Sequence, residues 1–273
     1  MMRAGWRRRA GAVAALLAAV LLTAAPAAAG IADQVGATFG LMLQDVVAAF
    51  PAVEGLVLAV DGDRLFLDLT ERDGVRPGQE FTIFRKGDVF RHPVTGQRLG
   101  RFEDTLGHAR VKQVQAGFSE AVLVPANGSP GIRPEDGVRI TRGRLRVAVP
   151  PAVDLTRAQA DLRRVPYMLA FGLDQTKRFQ SSDPAVVREL LLNQHTKVEE
   201  LLVRPERVVA LSRALEVSGW LIPVLIERGN AIYLDVTWIS GVTGMPLFSR
   251  RLSLVRAESA TEQRFPWEPR AED

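Results

Sequence analysis

The sequence predicts an α+β chain, with a small all-β barrel followed by a mixed α+β domain whose helices pack on a mostly antiparallel sheet. Three observations carry this expectation. From Gly55 to about residue 142, apolar residues alternate with polar ones in short runs punctuated by Gly and Pro. From about 156 to 216 the apolar spacing becomes helical, and three strand-like runs joined by tight turns follow. Strand, then helices, then a meander of strands is the order of an α+β fold.

The elements follow from the amino terminus. Residues 1–29 have the layout of an export signal: Arg3, Arg7, Arg8 and Arg9, an apolar stretch from Ala10 to Thr23, and Ala27-Ala28-Ala29 as a cleavage site before Gly30. The apolar stretch is shorter than the roughly 20 residues a spanning helix needs. Cleavage between Ala29 and Gly30 removes four Arg and no acidic residue. The precursor's 35 basic and 31 acidic residues thereby become equal numbers, and the basic footprint of a nucleic-acid binder is absent. The chain has no Cys, which excludes disulfides, thiolate metal sites, a Cys nucleophile and the lipidated Cys of a lipoprotein. The expected location is the periplasm.

Residues 30–52 hold an amphipathic helix, with Val35, Phe39, Leu41, Met42, Val46, Val47 and Phe50 on one stripe before Pro51. The stripe suits packing within the protein; the alternative is an arm that docks on a partner. The barrel occupies 54–142. Asp61-Gly62 between two alternating runs predicts a hairpin, and further strands are expected at 80–86, 98–104, 107–115, 118–124 and 137–142. The α+β domain occupies 144–256, with helices near 156–174, 183–202 and 205–216, the second starting from Asp183 as cap and Pro184. Strands at 217–227, 230–240 and 246–256 complete it. Residues 257–273 form a polar tail in which Phe265 and Trp267 are candidate partner contacts.

One phrase occurs twice: Gly74-Val75-Arg76-Pro77 and Gly131-Ile132-Arg133-Pro134. Because the surroundings differ, the pair predicts one barrel that turns into a strand twice by the same device, not a duplication. Gly74, Pro77 and Gly78 supply the backbone angles such a turn needs.

Residue types suited to chemistry are scattered. His92, His108 and His195 lie at no metal-ligand spacing, and no metal or cofactor is expected. No nucleophile elbow, phosphate loop or dinucleotide fingerprint is present. Asp61, Asp63 and Asp68 are explained by the turn and strand around them. Trp220 and Trp238 fit sheet packing better than a ligand platform.

The stretch from Asp73 to Arg101, above all His92-Pro93-Val94-Thr95-Gly96 and Leu99-Gly100, resembles the carboxy-terminal barrel of flagellar assembly protein T. Gly74, Pro77, Gly78, Pro93, Thr95, Gly96 and Gly100 carry the likeness. Residues 144–256, with Lys177-Arg178-Phe179 and the turn Val242-Thr243-Gly244, resemble the TolB amino-terminal fold, shared by the curli secretion subunit and by lipoprotein activators of penicillin-binding proteins. These resemblances imply a non-enzymatic envelope assembly or scaffolding protein whose partners are other envelope proteins; they leave open whether the assembly served is flagellar or secretion-related. Nucleic acid and small-molecule substrates are not implied, and self-association is open. The alternative is a peptidoglycan- or glycan-processing enzyme, or a glycan-binding module.

Overall fold

A computed structural model describes residues 30–255 except Asn127 and Ala158. Ala29, Phe265 and Trp267 lie outside the described residues. Gly30 precedes the first helix, α1 (Ile31–Ala49). The barrel strands are β1 (Glu54–Asp61), β2 (Arg64–Leu67), β3 (Glu80–Arg91), β4 (Arg98–Val114), β5 (Ser119–Pro125) and β6 (Gly137–Arg139). They close in the order β1-β2-β5-β4-β3-β6, with β6 back on β1. Closure leaves the barrel wall itself without a free edge, and inward residues such as Val57, Leu65, Phe81, Ile83, Val111 and Val138 fill the interior.

The barrel consists of two equivalent halves. In the β1–β2 hairpin Val57 pairs with Leu67 and a bulge falls between Val57 and Ala59; in β4–β5, 54 positions on, Val111 pairs with Ala121 and a bulge falls between Val111 and Gln113. Across β2–β5, Leu65 pairs with Ala121 and Leu67 with Ser119, with Phe66 and Glu120 on the pseudo-twofold axis between them. The repeated phrases are part of the same relation. Gly78 N–H donates to Val111 O (2.8 Å) and Val111 N–H to Gln79 O (2.9 Å); likewise Glu135 N–H donates to Val57 O (2.9 Å) and Val57 N–H to Asp136 O (2.8 Å). The two phrases thus lie in one barrel that uses the same turn device twice, and the strand register adds a pseudo-twofold relation that their differing surroundings did not reveal. Register is fixed by the buried face and by the turns, and both persist here where the exposed side chains differ.

Each phrase makes a turn with Pro at its second position and a left-handed third residue: Gly78 at φ 90° and Glu135 at φ 72°. Gln79 Oε1 accepts from Arg76 N–H and Asp136 Oδ2 from Arg133 N–H, both at 2.9 Å. A side chain at left-handed φ is strained, whereas Gly is not. Glu135→Gly is therefore expected to raise stability by about 0.5–1 kcal/mol, measured as a higher urea midpoint with unchanged m.

The rest of the chain builds one mixed sheet. Its strands are β7 (Leu145–Ala148), β8 (Val153–Leu155), β9 (Phe179–Ser181), β10 (Gly219–Arg228), β11 (Ala231–Ser240) and β12 (Pro246–Ser253), ordered β12-β11-β10-β7-β9 with β8 also on β10. The three long strands are antiparallel, while β7, β8 and β9 pair in parallel. Helix α2 (Val165–Gln175) and α1 cover one face; α3 (Pro184–Asn193), α4 (Val198–Leu201) and α5 (Pro205–Leu215) cover the other. Alternation along β10 divides the core accordingly, with Leu221 and Leu225 toward α1 and α2, and Trp220, Ile222 and Val224 toward α3 and α5.

Strand β3 runs on to Arg91, β6 stops at Arg139, β12 ends at Ser253, and β8 and β9 were not expected; three further departures from the sequence expectation have a visible cause. The strands expected at 98–104 and 107–115 form the single strand β4, because Gly107 lies flat against β5, where a Cβ would stand 2.9 Å from Val124 O. Helix α2 begins only at Val165, since Asp154 accepts from Thr156 and Ala160 N–H and holds the preceding residues in a loop. The helix expected over 183–202 breaks at His195, which is left-handed (φ 49°), as Thr196 N–H closes back on Leu191 O.

The amino-terminal helix packs inside the molecule. Val35, Phe39, Met42 and Val46 are buried against α2 and the sheet, whereas Leu41 is 45% exposed. The barrel interior and this face of the sheet form one continuous apolar cluster.

Candidate functional site

Two places concentrate polar and aromatic side chains: the seam between barrel and sheet, and the long β3–β4 hairpin.

At the seam, Glu80, Thr82, His108 and Arg110 share the outer face of β3 and β4, since Glu80 pairs with Arg110 and Thr82 with His108. The sheet closes over them. Glu80 accepts from Ser240 Oγ and Thr243 Oγ1, both at 2.5 Å. Ser240 Oγ in turn accepts from Val242 and Thr243 N–H, so one carboxylate holds the whole β11–β12 turn. Burial pushes the Glu80 carboxyl above its ordinary value, and the two hydroxyl bonds only partly offset this. Burial likewise lowers His108. His108 lies where two clefts meet, one of about 230 Å³ lined by Glu80, Thr82, Trp238 and Leu247, the other of about 520 Å³ lined by Ser212, Arg213, Glu216 and Val242. Among the described residues, no three His, Asp or Glu side chains gather as a metal-binding group.

Beneath these groups the seam is aromatic. Phe50, which follows α1, packs on Trp238 with tilted rings (4.5 Å, 48°) and meets Phe179 edge-on (6.1 Å, 89°). Arg178 donates to Phe50 O through Nε and Nη2 (3.1 and 3.0 Å) and to Pro51 O (3.0 Å), pinning the link from α1 to the barrel. Burial pulls this guanidinium below its ordinary value. Arg178→Met keeps much of the stem but leaves two carbonyls without their charged donor, so a loss of about 2 kcal/mol is expected, read from chemical denaturation. Trp238 is sealed in this cluster, and Trp220 is buried on the opposite face with its indole N–H donated to Ser212 Oγ (2.8 Å). Both act as core.

The repeat-turn residues Gly74, Pro77 and Gly78 lie at the barrel end nearest α1. Gly74 is left-handed (φ 78°), and Gln79 Nε2 donates to Ala49 O (2.9 Å). The equivalent of Gln79 in the second half, Asp136, instead holds Arg85 bidentately (2.7 Å to each oxygen) at the root of the hairpin. The twofold device thus fastens α1 on one side and the hairpin on the other. Arg139 adds to that root by pairing with Glu103, whose carboxyl it lowers, and by lying 3.7 Å over the Phe84 ring.

Pro93, Thr95 and Gly96 form the hairpin tip. His92 Nδ1 accepts from Val94 and Thr95 N–H, and Gly96, left-handed at φ 68°, donates to His92 O (2.9 Å). His92 is therefore a turn-forming residue. Gly100 lies under Phe90, where a Cβ would come 3.1 Å from the ring. The seam roles of Glu80, Arg178 and His108 were not predicted from sequence. The sequence signal was indirect: Arg178 lies within Lys177-Arg178-Phe179, and Thr243, which donates to Glu80, lies within Val242-Thr243-Gly244, while Glu80 and His108 themselves carried none.

Comparison with known proteins bears on the barrel. Residues 62–139 match the family model described as flagellar assembly protein T, C-terminal domain. Over 91 residues the chain is 34% identical to a protein of Aquifex aeolicus (strain VF5) described as "Uncharacterized protein", covering 33% of this chain and 18% of that one. The chain thus spans less than a fifth of that relative's length. Among solved structures, the LpoB C-terminal domain from Escherichia coli aligns at 12% identity and TM-score 0.36, covering 42% of this chain and 86% of that one. Lipoprotein GNA1162 from Neisseria meningitidis aligns at 17% identity and TM-score 0.35, covering 41% and 79%. Both TM-scores lie below 0.5. No described helix is long and apolar enough to cross a membrane.

Proposed function

We propose that this chain is an exported envelope protein that assembles or scaffolds other envelope proteins through protein contacts, without catalysis. The observation that carries this is the match of residues 62–139 to the flagellar assembly protein T C-terminal family. The closed, side-chain-filled barrel supports it, because such a barrel offers its outer surface to partners. So does the seam, whose carboxylate is engaged in fastening the two units. In this reading residues 1–29 direct export and are cleaved before Gly30, residues 144–256 are a TolB amino-terminal-like domain, and the motif residues Gly74, Pro77, Gly78, Pro93, Thr95, Gly96 and Gly100 shape the barrel's turns. Phe265 and Trp267 are contacts for an envelope partner, which serves a flagellar or secretion-type assembly.

A photo-crosslinking residue placed at Trp267, or at Leu58 on the outside of the barrel, tests this in intact cells. The expected result is reproducible capture of defined envelope proteins that a buried control position such as Val57 does not capture. Capture of none, together with turnover of purified peptidoglycan by the isolated chain, would overturn it.

A further inference from the structure

Beyond its root the β3–β4 hairpin is an amphipathic ribbon. Paired residues of adjacent strands share a face. Phe90 pairs with Gly100, so Phe90 and Phe102 lie together on one side, their rings 5.0 Å apart. Val89 pairs with Arg101 and Arg91 with Arg98, so three guanidinium groups lie on the other. Phe102 is 59% exposed and Val94, at the tip, 87%. From 87 to 102 the ribbon holds these three arginines against a single acidic residue, Asp88. Among the described residues none of the three is ion-paired; Arg91 and Arg101 reach only the carbonyls of Gly96 and Gly87. The root, by contrast, is held by Arg85–Asp136, Lys86–Glu54 and Arg139–Glu103. The ribbon is thus a firmly anchored projection with an apolar face, an apolar tip and free positive charge.

From this we infer that the hairpin docks on an anionic phospholipid surface. Charge complementarity selects a negative partner. The division of the ribbon into faces selects a bilayer over an acidic protein: a flat protein surface engages the aromatic side or the arginines, not both. In the interfacial layer the rings enter the headgroup boundary while arginine stems snorkel back to the phosphates. Gly100, which lets Phe90 lie flat beside Phe102, keeps the aromatic face thin enough to enter.

The test uses the chain from Gly30 to Asp273, which contains every described element and omits the apolar leader that would itself bind lipid. The probe is flotation with vesicles of phosphatidylcholine, with and without one quarter phosphatidylglycerol. The expected result is binding to the anionic vesicles only, weakened at least tenfold in 0.5 M salt. It should also weaken at least tenfold in Arg91→Gln/Arg98→Gln/Arg101→Gln and in Phe90→Ser/Phe102→Ser, with thermal midpoints unchanged because these side chains are exposed. Absence of binding to anionic vesicles overturns the inference, as does binding that both variants retain. Crosslinks from Val94 to an acidic protein without any vesicle binding would assign the ribbon to a protein partner instead. None of these outcomes bears on capture through Trp267 or Leu58, so this inference and the proposed function fail separately.

Discussion

Trp238→Ala is expected to lower stability by about 3–5 kcal/mol. Trp238 is 1% exposed and packs at a tilt against Phe50 and Phe179, with ring centroids 4.5 and 5.6 Å away. It also lies over Gly219, where a Cβ would come 2.3 Å from its indole nitrogen, so the backbone of β10 is shaped to admit it. Neither ring partner is free to collapse into the space left behind. Phe50 is held by the backbone bonds Arg178 makes to it, and Phe179 belongs to β9. Poor collapse places a truncation at the costly end of the range. Because the cluster joins barrel, α1 and sheet, the loss should appear in one transition shared by all three, with near-ultraviolet and far-ultraviolet signals coincident in urea. A loss under 1 kcal/mol, or separate transitions for the two signals, would contradict a seam shared by barrel, α1 and sheet. Trp238→Phe, which keeps an aromatic ring, should lose less than half as much.

Glu80→Ala should lower stability by about 2–3 kcal/mol at neutral pH, because it removes a charged acceptor and leaves two hydroxyls in the seam without their partner. Glu80→Gln should behave differently. An amide retains an acceptor for one hydroxyl without placing a charge in the seam, so its loss should stay within about 1 kcal/mol. The dependence on pH separates the two effects. Burial raises the folded-state pKa of Glu80 above its ordinary value of 4.5, so the folded chain holds this proton more tightly than the unfolded chain. The stability this contributes is fully present below the ordinary carboxylate range and is lost as pH rises through the raised value. Wild type should therefore lose stability relative to Glu80→Gln as pH is raised from about 4 toward neutrality. Parallel stability profiles for the two proteins over that interval would show that Glu80 is not titrating in a buried seam.

Much of the architecture was legible because local patterns and tertiary demands agree. Asp61-Gly62 predicted the first hairpin, and Gly62 is left-handed there (φ 64°). Asp183 and Pro184 predicted a helix start, and Asp183 Oδ1 accepts from Ala185 N–H. Period-two and helical apolar spacing separated the barrel from the helices. The misplaced boundaries have two kinds of cause: the loop closed on Asp154 and the Thr196 N–H closing on Leu191 O are local devices that apolar spacing does not register, whereas Gly107 acts through Val124 O, distant in sequence. The seam was illegible for a related reason. Glu80 meets Ser240 and Thr243 across 160 residues and Arg178 meets Phe50 across 128, spacings at which no short motif exists.

By itself the sequence determined the classes of element and their order, the barrel's turns and the two Arg-Pro phrases, because these depend on backbone angles and side-chain period within a few residues. Only the tertiary structure decided that those phrases are related by a pseudo-twofold axis, that α1 packs on the carboxy-terminal sheet, and that one carboxylate fastens the barrel to it. Each of these depends on register and burial between distant segments. Burial in turn gives Glu80, Arg178 and Trp238 environments that nothing in their immediate sequence specifies.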